Sequence, residues 1–333
     1  MIISRTPFRM SFAGGGSDLK AYYQHGYGSV VSTAINKYIY ITVNKRFTDS
    51  IRVGYSKIEE VKNVEDIEHN LVREALKLLG IKKGGIDIVY MSDLLPAQEG
   101  SGLGGSSSLI VGTLNALHAY KGENVSSETL AKEACKIEIE ILRHPIGKQD
   151  QYAAAYGGFN HIQFNADESV FVNPVIFKKG IKEELNKKLL LFHTAINTRS
   201  DTVLTEQRKK TKDNLDVLNK MVDLSKELRD ELKNGNIEKF GEILHKGWVY
   251  KQKLASNITN PIINSYYEKA RKAGAIGGKI LGSGGGGFLL FYCEEKNHDN
   301  VRKALSNLKE LPFRFEPEGS KIIYVNDGIE KDY

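Results

Sequence analysis

The segment Leu95-Pro96-Ala97-Gln98-Glu99-Gly100-Ser101-Gly102-Leu103-Gly104-Gly105-Ser106-Ser107-Ser108 constrains this chain more than any other, because bare backbone and small hydroxyls run straight into a helical pattern. Glycines let a polyanion approach the main chain without meeting a Cβ. The free N–H groups at the helix start then face it with about half a positive charge from the helix dipole. The segment reads as a phosphate cradle, and the expected ligand is a nucleotide.

Two glycine motifs compete for it. A Walker A loop needs Gly-x-x-x-x-Gly-Lys-Ser/Thr, with the lysine on the terminal phosphates, and Gly105 stands where that lysine would be. Gly100, Gly102 and Gly105 do satisfy Gly-x-Gly-x-x-Gly, but a dinucleotide fold runs its strand directly into the first glycine. Here the apolar run Ile86 to Met91 stops short, with Pro96 between. An NAD-dependent oxidoreductase is therefore the remote alternative.

At 333 residues the chain is long enough for about two domains of ordinary size. No stretch approaches the roughly 18 consecutive apolar residues of a membrane span, and Met1 to Arg5 lead into patterned sequence rather than an apolar leader, so a cytoplasmic, membrane-free protein is expected. The net charge of +6 is spread along the chain, and its densest run, Arg208 to Lys212, lies in a helical pattern. Such a run reads as a solvated helix face, and no nucleic-acid partner is expected. Cys135 and Cys293 lie far apart in apolar surroundings, which suits buried thiols in a reducing compartment.

Strand alternation is visible in Arg9 to Ala13 and Lys37 to Asn44, Ser29 to Ala34 is β-branched, and helical periodicity shows in Asn70 to Leu79, Ser106 to Tyr120 and Ser127 to Leu142. Strands return between Phe159 and Phe177, and Lys178 to Lys188 reads as a connection. Beyond it come a strand at Leu189 to His193, helices at Thr202 to Lys233 and Ile237 to Leu254, and a strand at Gly287 to Tyr292. Asp299 to Leu308 and Lys321 to Val325 close the chain as helix then strand. The order is α+β rather than an even βαβ alternation, with a boundary near Glu184 dividing residues 1–184 from 185–333.

Three separated segments read as parts of one site: Thr6 to Asp18, containing Arg9 and Ala13-Gly14-Gly15-Gly16-Ser17-Asp18; the glycine-rich loop; and Lys279 to Phe288, containing Gly282-Ser283-Gly284-Gly285-Gly286-Gly287. Their order and content resemble the three motifs of the GHMP kinases, the superfamily of galactokinase, homoserine kinase, mevalonate kinase and phosphomevalonate kinase. With His144-Pro145-Ile146-Gly147-Lys148-Gln149-Asp150-Gln151-Tyr152 added, the text is most similar to the D-glycero-D-manno-heptose 7-phosphate kinases. The resemblance implies a two-domain fold, with an N-terminal domain like the second domain of ribosomal protein S5 and a ferredoxin-like C-terminal domain. It also implies phosphorylation of the anomeric hydroxyl of heptose 7-phosphate by ATP and Mg2+, giving heptose 1,7-bisphosphate and ADP in nucleotide-heptose synthesis. An L-fucokinase or galactokinase-like activity is the alternative, and homo-oligomerisation stays open.

The resemblance also distributes roles. Asp150 would be the catalytic base that aligns the acceptor hydroxyl; the residues alone leave it equally a helix cap. Arg9 would offset charge near the transferring group, where an arginine on a strand is otherwise a surface residue. The triphosphate would lie on Pro96, Gly100, Gly102, Leu103, Gly104, Gly105, Ser106, Ser107 and Ser108. Ser106 and Glu138 would hold the metal, with Ser107 and Glu140 as their rivals. Gly15, Gly16, Ser17 and Asp18 would meet the sugar, Lys148 and Arg199 its phosphate, and Gly284 and Gly285 would close over the site.

Overall fold

A computed structural model describes residues 1–82, 84–94, 101–197 and 200–326, so Pro96, Gly100 and Arg199 lie outside the described residues. The chain opens with strand β1 (Ile2–Ala13), the short helix α1 (Lys20–Tyr23) and the long strand β2 (Tyr27–Lys45). Strands β3 (Ile51–Gly54) and β4 (Ile58–Val61) form a hairpin before helix α2 (Asn70–Leu78) and strand β5 (Ile86–Ser92). Helices α3 (Gly105–Tyr120), α4 (Ser127–Cys135) and α5 (Gln149–Tyr156) follow, then strands β6 (Phe159–Asn165) and β7 (Val170–Pro174).

The second half begins with helix α6 (Ile181–Lys187) and strand β8 (Leu189–His193). Four helices come next, α7 (Ser200–Lys209), α8 (Leu215–Asn234), α9 (Glu238–Lys251) and α10 (Pro261–Lys272). Strands β9 (Ala275–Ile280) and β10 (Phe288–Cys293), helix α11 (His298–Ala304) and strand β11 (Lys309–Glu310) complete this half. The short strands β12 (Phe315–Glu316) and β13 (Lys321–Val325) end the described chain.

The first sheet runs β13-β1-β2-β5-β3-β4, with β6 and β12 also on β2 and β7 on β6. Ser29 to Ala34 and Lys37 to Asn44, which read as two separate strand segments in the sequence, belong to one strand. The early part of β2 pairs with β6 and its later part with β5, while β1 runs along nearly all of it. Its register against β1 shifts between Pro7 and Phe8, where proline has no N–H for the ladder. All neighbours of β2 are antiparallel to it, which is not the parallel doubly wound sheet that the dinucleotide alternative requires.

The second sheet has the order β11-β8-β10-β9 and the chain order strand, helices, strand, strand, helix, strand, the ferredoxin-like arrangement expected. It is buried on both faces, which is why its strands read as continuous apolar runs. Alternate residues serve two cores: Leu189, Leu191, Phe288, Leu290 and Tyr292 join the larger one, and Leu190, Phe192, Leu289, Phe291 and Cys293 the other.

Several expectations are corrected. Lys178 to Lys188 is not a plain connection but carries α6. The long helix expected over Thr202 to Lys233 is broken between α7 and α8, and that over Ser127 to Leu142 widens after α4 into one π-helical turn, Lys136–Ile141. Both β12 and β13 return to the first sheet, on β2 and β1 respectively. A cut of the chain at 184/185 therefore separates two strands from the sheet they complete.

Candidate active site

Helix α3 begins at Gly105 behind Gly104, whose left-handed backbone (φ +74°) suits glycine. No side chain caps this end, so its first N–H groups remain free to bind an anion. They border a cavity of about 610 Å³ whose lining includes His69, Tyr90, Gly104, Gly105, Ser106 and Ser107 and, at the end it shares with a smaller cavity, Asp150.

Arg9, only 3% exposed, holds that end together. Its Nε donates to Asp150 Oδ1 at 2.7 Å, its Nη2 to Oδ2 at 2.6 Å and its Nη1 to the Gly102 carbonyl at 2.6 Å. Strand β1, the glycine loop and α5 are thus tied through one guanidinium, in the two-pronged geometry by which arginine fixes a carboxylate. Asp150 is not the cap of α5. That position is Lys148, and Asp150 lies inside the first turn.

Behind the pair a smaller cavity of about 70 Å³ is lined by Ser11, Gly15, Gly16, Asp18, Gln149, Gln207, Lys251 and Lys279. Arg9, Asp150, Gly282 and Ser283 border both cavities. Asp18 is 3% exposed and accepts from the Gly16 N–H at 2.9 Å and, more weakly, from the Gln149 N–H at 3.4 Å. It is not an N-cap, since the cap of α1 is Leu19. Burial, and then the neighbouring Asp150, push its carboxyl above the ordinary range.

Glu138 lies on the wall of the larger cavity with no exposed surface, and Glu140 is exposed. The wide turn that carries Glu138 leaves it between α3 and α5, where it accepts from Ser107 Oγ at 2.7 Å and Ser106 Oγ on α3 and from Gln151 Nε2 on α5 at 2.5 Å. Burial raises its carboxyl, Asp150 adds to the rise, and the two serines and Gln151 oppose it. Among the described residues no group of three His, Cys, Asp or Glu could hold a metal unaided. One carboxylate with hydroxyls beside a phosphate cradle is nevertheless the sparse oxygen set with which magnesium joins a nucleotide, so the residues present fit that ion.

Other candidates have different partners. Leu103 and Ser108 are fully buried: the Leu103 carbonyl accepts from the Arg9 N–H at 3.0 Å, and Ser108 Oγ donates to the Pro7 carbonyl at 2.8 Å. Ser17, equally buried, is hydrogen-bonded to Gly14 and Ser29 and reaches neither cavity. The Lys148 ammonium is paired with Glu168 and lies over the Tyr23 ring, away from both cavities. Gly284 packs on the Ile258 backbone, and the Gly285 N–H donates to the Ile258 carbonyl at 2.8 Å, so Gly282 and Ser283 are the lining residues of that loop.

Sequence reading missed His69, Tyr90, Gln207 and Lys251, and gave Lys279, at the edge of the third segment, no role of its own. Lys251 looks like any solvated lysine in Tyr250-Lys251-Gln252-Lys253. Lys279 carries a usable signal, a lone charge between Gly278 and Ile280 in an apolar strand. Its Nζ donates to the carbonyls of Ser11 at 2.8 Å and Phe12 at 3.2 Å. Burial, with Lys251 and Arg9 nearby, pulls its amine well down.

Residues 70–158 match the GHMP kinases N terminal domain family and residues 228–311 the GHMP kinases C terminal family. The chain is 30% identical, over 96% of its length and 98% of the relative's, to the D-glycero-alpha-D-manno-heptose 7-phosphate kinase of Campylobacter jejuni. It is 26% identical to the galactokinase of Pyrococcus furiosus, over 98% of this chain and 99% of that one. Among solved structures, the D-glycero-D-manno-heptose 1-phosphate kinase of Bacteroides thetaiotaomicron superposes with a TM-score of 0.81 at 26% identity, covering 98% of this chain and all of that one.

Proposed function

The chain belongs to the GHMP kinases, and on that premise we propose that it transfers the γ-phosphoryl group of ATP to the anomeric hydroxyl of D-glycero-D-manno-heptose 7-phosphate. The products would be heptose 1,7-bisphosphate and ADP. One observation carries the reading: the Arg9–Asp150 pair stands where the cavity bordered by the start of α3 meets the cavity lined by Asp18. A phosphoryl group and a polyol hydroxyl brought to that junction meet at the carboxylate.

In this proposal the free N–H groups of residues 105–107 bind the phosphate oxygens. Arg9 occupies one direction on each Asp150 oxygen, which leaves the other direction to accept the acceptor's O–H. As the sugar oxygen bonds to phosphorus and the bond to the ADP oxygen breaks, the hydroxyl proton passes to Asp150. Little bond-making is asked of the protein beyond this, because phosphoryl transfer is governed by alignment and charge. Ser106 and Glu138 would hold magnesium, which when bound neutralises charge on the phosphates. Arg199 is the proposed cation for the 7-phosphate, since the Lys148 ammonium is paired with Glu168.

The proposed partners are ATP and a sugar phosphate, and the proposed setting is the cytoplasm, on the route to nucleotide-heptoses. No helix among the described residues is long and apolar enough to cross a membrane. Residues 1–184, completed by the strands within 315–325, would form the nucleotide-binding domain and the rest of 185–333 the second. An ADP-release assay over heptose 7-phosphate, fucose, galactose and mannose tests the reading. Turnover should be greatest with heptose 7-phosphate, and turnover confined to fucose or galactose would overturn the choice of acceptor.

A further inference from the structure

The smaller cavity contains polar groups that the fold itself leaves incompletely used. Lys251, at the end of α9, is 6% exposed, and among the described residues its ammonium has one hydrogen-bond acceptor, the Gly282 carbonyl. Asp18 lines the same cavity as Lys251, and its negative charge favours the ammonium. Ser11 Oγ and Gln149 Oε1, also in the lining, are buried and have no hydrogen-bond partner among the described residues. A buried polar atom without a partner costs about 1–3 kcal/mol, so this lining is suited to a ligand that brings its own donors and acceptors.

A phosphate does not suit it. Asp18 and Asp150 both border the cavity, Arg9 is already paired with Asp150 and the Lys279 ammonium with two carbonyls, so a dianion would sit against two carboxylates with Lys251 as the cation left to meet it among the described residues. A neutral hydroxyl, which accepts from one side and donates to the other, fits a lysine and an aspartate that line one cavity. The border with Asp150 places that hydroxyl beside the reacting one.

Resting on the kinase reading above, we infer that Lys251 is a specificity-determining residue of the acceptor site: its ammonium donates to the sugar hydroxyl adjacent to the one phosphorylated, and Asp18 accepts from that same hydroxyl. For an anomeric acceptor this is the 2-hydroxyl. Through the Gly282 carbonyl, Lys251 also couples the occupied sugar site to the third glycine loop.

The test is a two-by-two comparison of wild type and Lys251→Met against heptose 7-phosphate and its 2-deoxy form, with acceptor binding measured in parallel by calorimetry and Lys251→Arg as the conservative variant. Removal of Lys251 alone should lower kcat/KM roughly 30-fold, as loss of a charge-assisted hydrogen bond does, and removal of the 2-hydroxyl, which gives up the Asp18 bond as well, should lower it more. Once Lys251 is gone, the 2-deoxy penalty should shrink by roughly that same 30-fold factor, because the Lys251 bond can be lost only once and the Asp18 bond alone remains to be lost. The KM for ATP should change far less than that for the sugar, and Lys251→Arg should recover part of the loss.

Penalties that simply multiply, in a variant that keeps its circular dichroism spectrum, would overturn the role of Lys251 and leave the kinase reading intact. Tight calorimetric binding of the sugar by wild type without turnover would overturn the kinase reading, and the calorimetric comparison of the two proteins would still decide on Lys251. Undetectable binding of the sugar by wild type would overturn both.

Discussion

At the residue scale, chemistry depends on which charges the fold keeps out of water and what it sets beside them. Arg9, Asp18 and Asp150 are legible in the sequence because they stand in or near glycine-containing text, whereas Glu138 is singled out by the family resemblance alone. The sequence cannot separate Glu138 from Glu140, since only the wide turn at Lys136–Ile141 buries one and leaves the other in solvent. Asp150→Asn keeps the shape of the side chain but gives up its capacity to take the proton. It should lower kcat by about a thousandfold with the circular dichroism spectrum preserved, and wild-type kcat in that variant would remove Asp150 from the mechanism.

Lys251 gives a second prediction at this scale. Burial, then the Arg9 guanidinium, lower its amine from 10.5 to about 7, against the opposing pull of Asp18 and Asp150, and Lys279 on β9 is lowered in the same direction. Between pH 7 and pH 10 the unfolded chain binds the proton that the native state has released, so stability contributed by this residue rises with pH there. Below pH 7 both states carry the charge and the cost of burying it is fully present. The melting temperature of Lys251→Met minus that of wild type should therefore be most positive near pH 6 and decline towards pH 10. A difference that does not change with pH would show that Lys251 has no such shift.

At the scale of elements, the site exists because two glycine turns touch backbone to backbone. A Cβ on Gly282 would lie 2.3 Å from the Gly102 Cα, and one on Gly102 would lie 2.5 Å from the Leu281 carbonyl oxygen. Both glycines also have positive φ, +68° and +78°, so a side chain there meets strain as well as a clash. Gly282→Ala should push the third motif away from the phosphate loop and lower kcat/KM for ATP by about tenfold or more. Unchanged kinetics would mean that the contact does not matter to the reaction. Both glycine runs are plain in the sequence, but their contact is not, because nothing in either segment states that the other is its neighbour. Gly284 shows the same limit: it shares the run, yet packs on Ile258 and not on the site.

At the scale of the whole molecule, the alternating strands and the α+β order were legible, because side chains with period two report which face each residue serves, whereas the strands of the second sheet read only as continuous apolar runs and do not announce the two cores they divide. The return of the chain end was not. Strand β12 is two residues long and offers no period to read, and only its pairing with Ile35 and Ala34 defines it. A Cβ on Gly157 would lie 2.0 Å from the Glu318 carbonyl carbon, so residues 315–325 are packed into the first domain as well as paired with it. A chain ending at Leu311 should lose its cooperative thermal transition or melt at least about 10 °C lower, and an unchanged transition would show that these strands only decorate the sheet.

The central claim is that nucleotide phosphates lie on the amides at the start of α3 with the acceptor facing them across Asp150. The most direct measurement is the crystal structure of the complex with a non-hydrolysable ATP analogue, magnesium and heptose 7-phosphate. The account predicts phosphate oxygens within hydrogen-bond distance of the N–H groups of residues 105–107 and the anomeric oxygen against Asp150. A triphosphate bound elsewhere, or a sugar held away from Asp150, would contradict it.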